Sequence, residues 1–211
     1  MVLRFVIFVI NIWIKLFYHH KIYGLEHLNE HGGLMASNHC SFLDPPILGA
    51  SCPYIVHFFG RDTLFRNPIF AWLLGQLNTH PIARGKENLG PIKLACSLLK
   101  SDKKLLIFPE GKRSLDGKFL KGEHGVGFLV QRTGCLVFPA YVGGTFDIWN
   151  AKRRFPRLKG QTACVFGSPL DLTHISEPTK KETQAKIADE IMLAITRLRD
   201  WYLAGAQGSP P

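Results

Sequence analysis

The sequence contains few cysteines, and their arrangement supports neither a disulfide framework nor a zinc site. Their number is odd, they are scattered over the chain, and no two form a Cys-x-x-Cys pair. Free cysteines within apolar segments behave as small hydrophobic residues, so we expect a reducing compartment. The five are Cys40, Cys52, Cys96, Cys135 and Cys164.

Acidic residues are also scarce relative to basic ones. The 211 residues include 26 Lys and Arg but only 16 Asp and Glu, which gives a formal net charge of +10 at pH 7. Such a surplus predicts an anionic partner, which could be nucleic acid, an anionic membrane surface or a phosphorylated substrate. Nucleic acid is not expected, because the aromatic residues crowd the apolar N-terminus and the predicted strands.

The first 18 residues form the longest apolar segment, and Arg4, Asn11 and Lys15 interrupt it. A spanning helix needs about 20 apolar residues, so three interpretations stay open. The segment is a helix in or on one leaflet, a full span, or a buried helix of a soluble protein. Aromatic residues beside basic ones near its end favour an interfacial anchor.

Beyond this segment the pattern indicates one α/β domain, and 211 residues suit a single core. Strands alternate with amphipathic helices, which predicts a largely parallel mixed sheet flanked by helices. The last helix begins with a Thr179–Glu182 capping box. Strands are predicted at 33–37, 54–59, 79–83, 104–108, 136–142 and 162–166. The expected division is a membrane-associated helix at 1–22, a domain at 23–205 and a disordered tail at 206–211.

The segment Asn-His-Cys-Ser-Phe-Leu-Asp at 38–44 places His39 five positions before Asp44. Histidine is a general base near neutral pH, and a carboxylate beside it would orient the ring and stabilise the imidazolium. Two prolines after Asp44 predict a helix start with Asp44 as its N-cap. His39 then lies at the carboxyl end of a strand, where open α/β sheets bind ligands. Spacing alone is weak, so a purely structural pair remains the alternative.

Residues 105–114 read Leu-Leu-Ile-Phe-Pro-Glu-Gly-Lys-Arg-Ser, a buried strand followed by groups that suit a phosphate. Gly111 permits a tight turn. Arg113 can bind phosphate through two hydrogen bonds, Lys112 as a point charge and Ser114 through its hydroxyl. Another strand end carries Arg84. Each motif taken alone is also compatible with an ordinary polar loop.

Taken in order, these motifs resemble the glycerolipid acyltransferase family, and most closely its lysophosphatidate (1-acylglycerol-3-phosphate) acyltransferase branch. The resemblance runs from about Tyr23, with its Tyr-Gly-Leu-Glu lead-in, to the Gly-Thr turn at Thr145. Its strongest parts are the segment from Asn38 to Asp44 and the segment from Phe108 to Ser114. Pro139 matches a last motif whose role is less defined.

The resemblance implies transfer of a fatty acyl group from acyl-CoA or acyl carrier protein to lysophosphatidate, which gives phosphatidate in phospholipid biosynthesis. It implies that His39 is the general base and Asp44 its orienting partner, and that no metal or prosthetic group takes part. It also implies association with membrane lipids, with the active site on the cytoplasmic face. The implied substrate-binding set is Arg84, Glu110, Gly111, Arg113 and Ser114, and we add Lys112 to it because of its positive charge beside the expected phosphate site.

Several alternatives stay open. Lys112 departs from the family, which usually carries Thr there, so acceptors such as glycerol 3-phosphate or another lysophospholipid remain possible. A non-catalytic lipid-binding protein would predict degenerate motifs, yet His39, Asp44 and Glu110 are all present. Cys40 could act as an acylated nucleophile, although adjacent residues rarely face each other.

A basic stretch at 152–159 could contact anionic lipid headgroups or an acidic carrier protein. It holds Lys152, Arg153, Arg154, Arg157 and Lys159. A solvated loop explains the same composition.

Overall fold

The computed structural model describes residues 2–82 and 89–211, with side chains from residue 5 onward. The described helices are α1 (Val2–Tyr18), α2 (Asp44–Ser51), α3 (Pro68–Gln76), α4 (Gly90–Lys100), α5 (His124–Thr133), α6 (Thr145–Trp149) and α7 (Lys180–Leu203). The strands are β1 (Lys21–Tyr23), β2 (Gly33–Ser37), β3 (Val56–Arg61), β4 (Thr79–Ile82), β5 (Lys104–Ile107), β6 (Val137–Gly143) and β7 (Ala163–Phe166). Two 3₁₀ turns cover Leu25–His27 and Asp62–Phe65.

The seven strands form one sheet in the order β1-β7-β6-β2-β5-β3-β4. Neighbouring strands run parallel except β6 and β7, which are antiparallel. The predicted α/β fold with a largely parallel sheet is therefore confirmed. Strand β2 is buried along its whole length, and its Ala36 pairs with Ile107 of β5 and Pro139 of β6. The carboxyl ends of these three strands consequently meet at one edge of the sheet.

Helices cover both faces of this sheet and enclose two apolar clusters. One cluster lies under α1 and α2 and includes Ile14, Tyr18, Ile47, Leu48 and Phe138. The other lies under α4, α5 and α7 and includes Leu99, Val130, Ile187, Ile191 and Ile195. Helices therefore pack against both faces of the sheet at whose edge the carboxyl ends of β2, β5 and β6 meet.

Helix α1 packs one side against the domain and exposes the other. Ile14 and Tyr18 are buried, and the Asn11 side chain donates to the Ala50 carbonyl at 3.2 Å. Phe8 and Leu16, in contrast, are 61% and 68% exposed. Among residues 2–82 and 89–211, no helix combines the length and apolarity needed to cross a bilayer.

Most predicted element positions are confirmed, but some details differ. Helix α2 starts at Asp44, yet its N-cap is Leu43, so the predicted capping role of Asp44 is wrong. Strand β1 and helix α6 were not predicted, because three and five residues are too few for a periodic pattern. The tail at 206–211, for which the sequence predicts disorder, makes contacts here: Gln207 O accepts from Trp201 Nε1 at 3.0 Å, and Pro211 O accepts from Ser168 N at 3.2 Å.

Candidate active site

The loop between β2 and α2 brings His39 and Asp44 into direct contact. His39 Nδ1 lies 2.8 Å from Asp44 Oδ2, and Asp44 is fully buried. A neutral imidazole that donates from Nδ1 to this carboxylate keeps Nε2 as its proton acceptor. The geometry is therefore that of an oriented general base.

Asp44 is held by three further donors. The backbone N–H groups of Cys40 and Ser41 both donate to Oδ2 at 2.7 Å, and the Thr145 hydroxyl donates to Oδ1 at 2.6 Å. These hydrogen bonds compensate the burial of the carboxylate and fix its direction. Thr145 begins α6, so the loop between β2 and α2 is tied to the end of β6 as well as to α2.

The segment after β5 fixes the backbone and ring of His39. The ring stacks on Phe108, with 3.9 Å between ring centroids and 12° between planes. His39 N–H donates to Glu110 Oε1 at 2.8 Å, and Ser114 N–H donates to the His39 carbonyl at 2.8 Å. The other Glu110 oxygen accepts from Leu120 N–H at 2.8 Å. Burial raises the pKa of Glu110, and these two backbone hydrogen bonds oppose the shift.

A groove of about 550 Å³ opens in front of His39. Among the residues that the structure describes, its lining combines apolar side chains with three cations, Arg61, Lys112 and Arg113. Such a groove suits a ligand that carries an anionic group on an apolar body. The lining includes His39, Pro45, 58–61, 106–108 and 111–113.

Of the predicted binding residues, Gly111, Lys112 and Arg113 line this groove beside His39. Gly111 has φ +65°, a left-handed conformation that favours glycine. The Arg113 guanidinium lies 3.7 Å from the centre of the Phe42 ring, a cation–π contact that steadies it above the groove. The structure thus brings His39, the predicted base, and two of the predicted cations together in one groove.

The remaining predicted residues are placed differently. Both Glu110 oxygens accept from backbone N–H groups, which gives the side chain a positioning role in this geometry. Ser114 is 1% exposed, and its hydroxyl donates to Asp116 Oδ1 at 3.0 Å rather than facing the groove. Arg84 lies outside the described residues.

Sequence reasoning missed Arg61, Phe108 as a ring support, and Thr145. Arg61 could have been found, because it follows a predicted strand just as Arg84 does. Thr145 carried no such signal, because it lies 101 positions from the carboxylate it contacts.

Cys40 is not disposed to act as a nucleophile. Its side chain is buried, and its pKa is raised to about 12, first by burial and then by the Asp44 charge. Since the thiolate is the nucleophilic form, this environment suppresses its reactivity.

Comparisons with known proteins find relatives of this chain. A family model described as Acyltransferase matches residues 19–143. The chain is 30% identical over 194 residues to a chloroplastic 1-acyl-sn-glycerol-3-phosphate acyltransferase of Arabidopsis thaliana, covering 88% of this chain but 54% of that relative. It is 28% identical over 184 residues to the 1-acyl-sn-glycerol-3-phosphate acyltransferase of Bacillus subtilis, covering 85% and 88%.

A solved structure shares the fold. The crystal structure of the 1-acyl-sn-glycerophosphate acyltransferase of Thermotoga maritima superposes with a TM-score of 0.75 at 23% identity. The match covers 93% of this chain and 80% of that one. The likeness therefore extends from the sheet through the helices on both of its faces.

Proposed function

The chain belongs to the acyltransferase family, and from this premise we propose that it is a 1-acylglycerol-3-phosphate O-acyltransferase. It transfers a fatty acyl group from acyl-CoA or acyl carrier protein to the sn-2 hydroxyl of lysophosphatidate, forming phosphatidate for phospholipid synthesis. The observation that carries the proposal is the His39–Asp44 pair facing a groove with three cations. The relatives bearing this activity in their names support it, although the chain spans about half of the Arabidopsis one.

The proposed reaction begins with His39 Nε2 taking the proton of the acceptor hydroxyl. The freed oxygen attacks the thioester carbonyl, and the tetrahedral intermediate collapses with loss of the thiolate. The imidazolium then returns its proton to the departing sulfur. Asp44 stabilises the imidazolium through Nδ1. A base placed in this way contributes roughly 10²–10⁴-fold to the rate.

The cations of the groove are proposed to bind the acceptor phosphate. Arg113 offers two parallel donors to phosphate oxygens, whereas Lys112 acts as a point charge. Arg61, at the end of β3, lines the same groove and is proposed as a third cation for the phosphate, although the sequence analysis did not identify it. Because the sn-2 hydroxyl is close to the phosphate along the glycerol chain, one groove can hold both groups next to His39.

The enzyme is proposed to work at a membrane surface, with its active site on the cytoplasmic face. Its acceptor and product are membrane lipids, and α1 presents exposed apolar side chains such as Phe8 and Leu16. An amphipathic helix of this kind lies in one leaflet with its apolar face among the acyl chains. No metal or prosthetic group has a role in the proposed steps, so chelation with EDTA is expected to leave the rate unchanged.

An acyl-transfer assay of the purified protein tests the proposal. Both donors are offered with lysophosphatidate, glycerol 3-phosphate and a lysophospholipid without a phosphomonoester. We expect transfer to lysophosphatidate, and a rate lowered by roughly 10²–10⁴-fold in His39→Ala. His31→Ala is the matched control, because His31 is an exposed histidine that precedes the amino end of β2, whereas His39 follows the carboxyl end of the same strand.

Circular dichroism verifies that both histidine variants are folded. Transfer to glycerol 3-phosphate alone would reassign the acceptor. Equal rates in His39→Ala and His31→Ala would contradict the assignment of the base.

A further inference from the structure

The turn after α6 forms a second groove beside the catalytic one. This second groove has a volume of about 550 Å³. It shares a wall with the catalytic groove, because Leu115 lines both, and Ala151 of the catalytic groove directly precedes Lys152 of the second. The second groove is lined by Leu115, Asp116, Phe146, Asn150, Lys152 and Arg153.

The backbone of this turn is satisfied without help from its basic side chains. Asn150 accepts from Lys152 N–H through its side chain at 3.0 Å and from Arg153 N–H through its carbonyl at 3.1 Å. The Arg153 carbonyl accepts from Trp149 Nε1 at 3.1 Å. The charged groups of Lys152 and Arg153 are therefore not needed to hold the turn.

Arg153 carries a polar atom that lacks a partner. Its Nε is shielded from solvent, and no side chain or backbone group of the described residues accepts a hydrogen bond from it. A buried donor left unpaired costs free energy unless a ligand supplies the acceptor. Asp116 shares the lining, but its Oδ1 already accepts from Ser114 Oγ and Lys118 N–H. With two cations and one carboxylate among the described residues, the lining of the second groove has a net positive charge, which favours an anion.

The turn is also fixed to the catalytic loop. The Trp149 carbonyl accepts from the Ser41 hydroxyl at 2.7 Å and from Phe42 N–H at 3.2 Å. At the other end of the same short helix, Thr145 binds Asp44. A ligand held by the turn is thus placed in a fixed relation to His39.

We propose that the second groove binds the phosphate of the acyl donor's 4′-phosphopantetheine arm, an inference that rests on the proposed function. The acceptor phosphate is close to the reacting hydroxyl, so it occupies the catalytic groove. The donor's phosphate lies at the far end of the pantetheine arm from the thioester. An arm that leaves the catalytic groove across Leu115 brings this phosphate to Lys152 and Arg153. The same arm occurs in coenzyme A and in acyl carrier protein.

The kinetic test compares two variants with equal loss of charge. Lys152→Gln/Arg153→Gln, the groove variant, removes the two cations of the second groove. Arg154→Gln/Lys159→Gln removes two exposed cations of the same loop that line neither groove. The donors are S-acyl-4′-phosphopantetheine and S-acyl-pantetheine, which differ only in the phosphate.

We expect the groove variant to raise KM for the phosphorylated donor by about tenfold or more, because hydrogen bonds to a charged group are lost. KM for the pantetheine donor and for lysophosphatidate should not change, and the control should behave like the wild type. Acyl-CoA and acyl carrier protein are tested as two further donors. The donor whose KM rises more in the groove variant is the one that supplies the phosphopantetheine arm physiologically. An unchanged preference for the phosphorylated donor in the groove variant would overturn the inference. A higher KM for lysophosphatidate or weaker vesicle binding would overturn it too, since the turn would then contact lipid headgroups.

A binding measurement separates this inference from the proposed function. Isothermal titration of 4′-phosphopantetheine and of pantetheine requires no turnover. Groove-dependent binding of the phosphorylated compound by a protein that transfers no acyl group would support the inference and contradict the proposed function. Active protein whose affinity for 4′-phosphopantetheine is equal in wild type and groove variant would overturn the inference alone.

Discussion

Asp44 is the side chain on which separate parts of the chain converge. His39, Cys40 and Ser41 reach it from the preceding loop, and Thr145 reaches it from the end of β6. A buried carboxylate with four donors is both a support for the loop and an orienting partner for the imidazole. Its replacement therefore affects rate and stability together.

Asp44→Asn is expected to lower kcat by roughly 10³–10⁴-fold, because the amide no longer favours the correct imidazole tautomer or its protonated form. It should also lower the free energy of unfolding by about 1–3 kcal/mol through weakened buried hydrogen bonds. Steady-state kinetics and urea unfolding measure the two effects. The control is Asp62→Asn at an exposed position. A near-normal kcat in Asp44→Asn would show that His39 acts without an orienting carboxylate.

Cys40→Ala is expected to keep near-normal turnover, because burial raises the pKa of the thiol to about 12 and the side chain faces the Thr145 hydroxyl, 3.5 Å away, rather than the groove in front of His39. The lost buried sulfur should cost about 1 kcal/mol of stability. Kinetics and thermal unfolding test this pair of expectations. An acylated Cys40 detected by mass spectrometry in the wild type, with an inactive Cys40→Ala, would instead establish a covalent route.

For single residues, the sequence predicts contacts between side chains that are close along the chain, but not contacts between side chains that only the fold brings together. His39 and Asp44 are five positions apart, so a loop joins them whatever the rest of the fold does. Ser114 belongs to the segment from Phe108 to Ser114, and the sequence predicts that its hydroxyl binds phosphate. The hydroxyl instead donates to Asp116 Oδ1, and the order of residues alone does not reveal this direction. Thr145 reaches Asp44 only because β6 lies beside β2 in the sheet.

Among the elements, α1 is attached to the domain in part by a half-buried polar contact. His20 lies two positions after Tyr18, the last residue of α1. Its Nδ1 lies 2.8 Å from Thr162 Oγ1, and its Nε2 lies 2.8 Å from Ser51 Oγ. It thereby links the end of α1 to the end of α2 and to the strand edge at β7. Burial lowers the pKa of His20 from 6.5 to about 4.

Stability should therefore depend on pH through His20. The unfolded chain binds a proton near pH 6.5 and the folded protein only near pH 4, so stability rises with pH across this window. The stabilisation is fully present above pH 6.5 and is lost as the pH falls toward 4, with a change of up to about 3 kcal/mol. Urea unfolding across the window should give a smaller slope in His20→Gln than in wild type. Burial also lowers the pKa values of His57 and His80, so part of the slope should remain.

The exposed histidine variant His31→Gln serves as the control for this measurement. It should retain the wild-type slope. Equal slopes in His20→Gln and wild type would show that the His20 ring contributes nothing to the pH dependence.

Longer elements followed from sequence patterns, whereas shorter ones depended on their neighbours. The capping box at Thr179 marks the start of α7 as predicted. Strand β1 has only three residues and is defined by its register with β7, from Lys21 beside Ala163 to Tyr23 beside Val165. Such a strand is visible only once its partner is in place.

For the molecule as a whole, the net charge of +10 and the exposed face of α1 predict two separable contributions to membrane binding. Phe8→Glu/Leu16→Glu should lower partitioning into vesicles at any salt concentration, since each buried apolar side chain contributes about 1.5–3 kcal/mol. Added salt should weaken binding of the wild type to anionic vesicles, because the screening length falls from about 10 Å at 0.1 M to about 3 Å at 1 M. Vesicle co-sedimentation measures both effects.

The two contributions are distinguished by lipid composition and by a matched variant. On zwitterionic vesicles the salt effect should disappear while the effect of the α1 variant persists, because only the electrostatic part requires anionic lipid. Leu193→Glu/Leu203→Glu places the same two charges at exposed apolar positions of α7, away from α1, and should bind vesicles better than the α1 variant does. If this α7 variant and the α1 variant lost binding equally, the net charge rather than α1 would determine membrane attachment. Acyl transfer in detergent micelles should remain in the α1 variant, since Phe8 and Leu16 line neither groove.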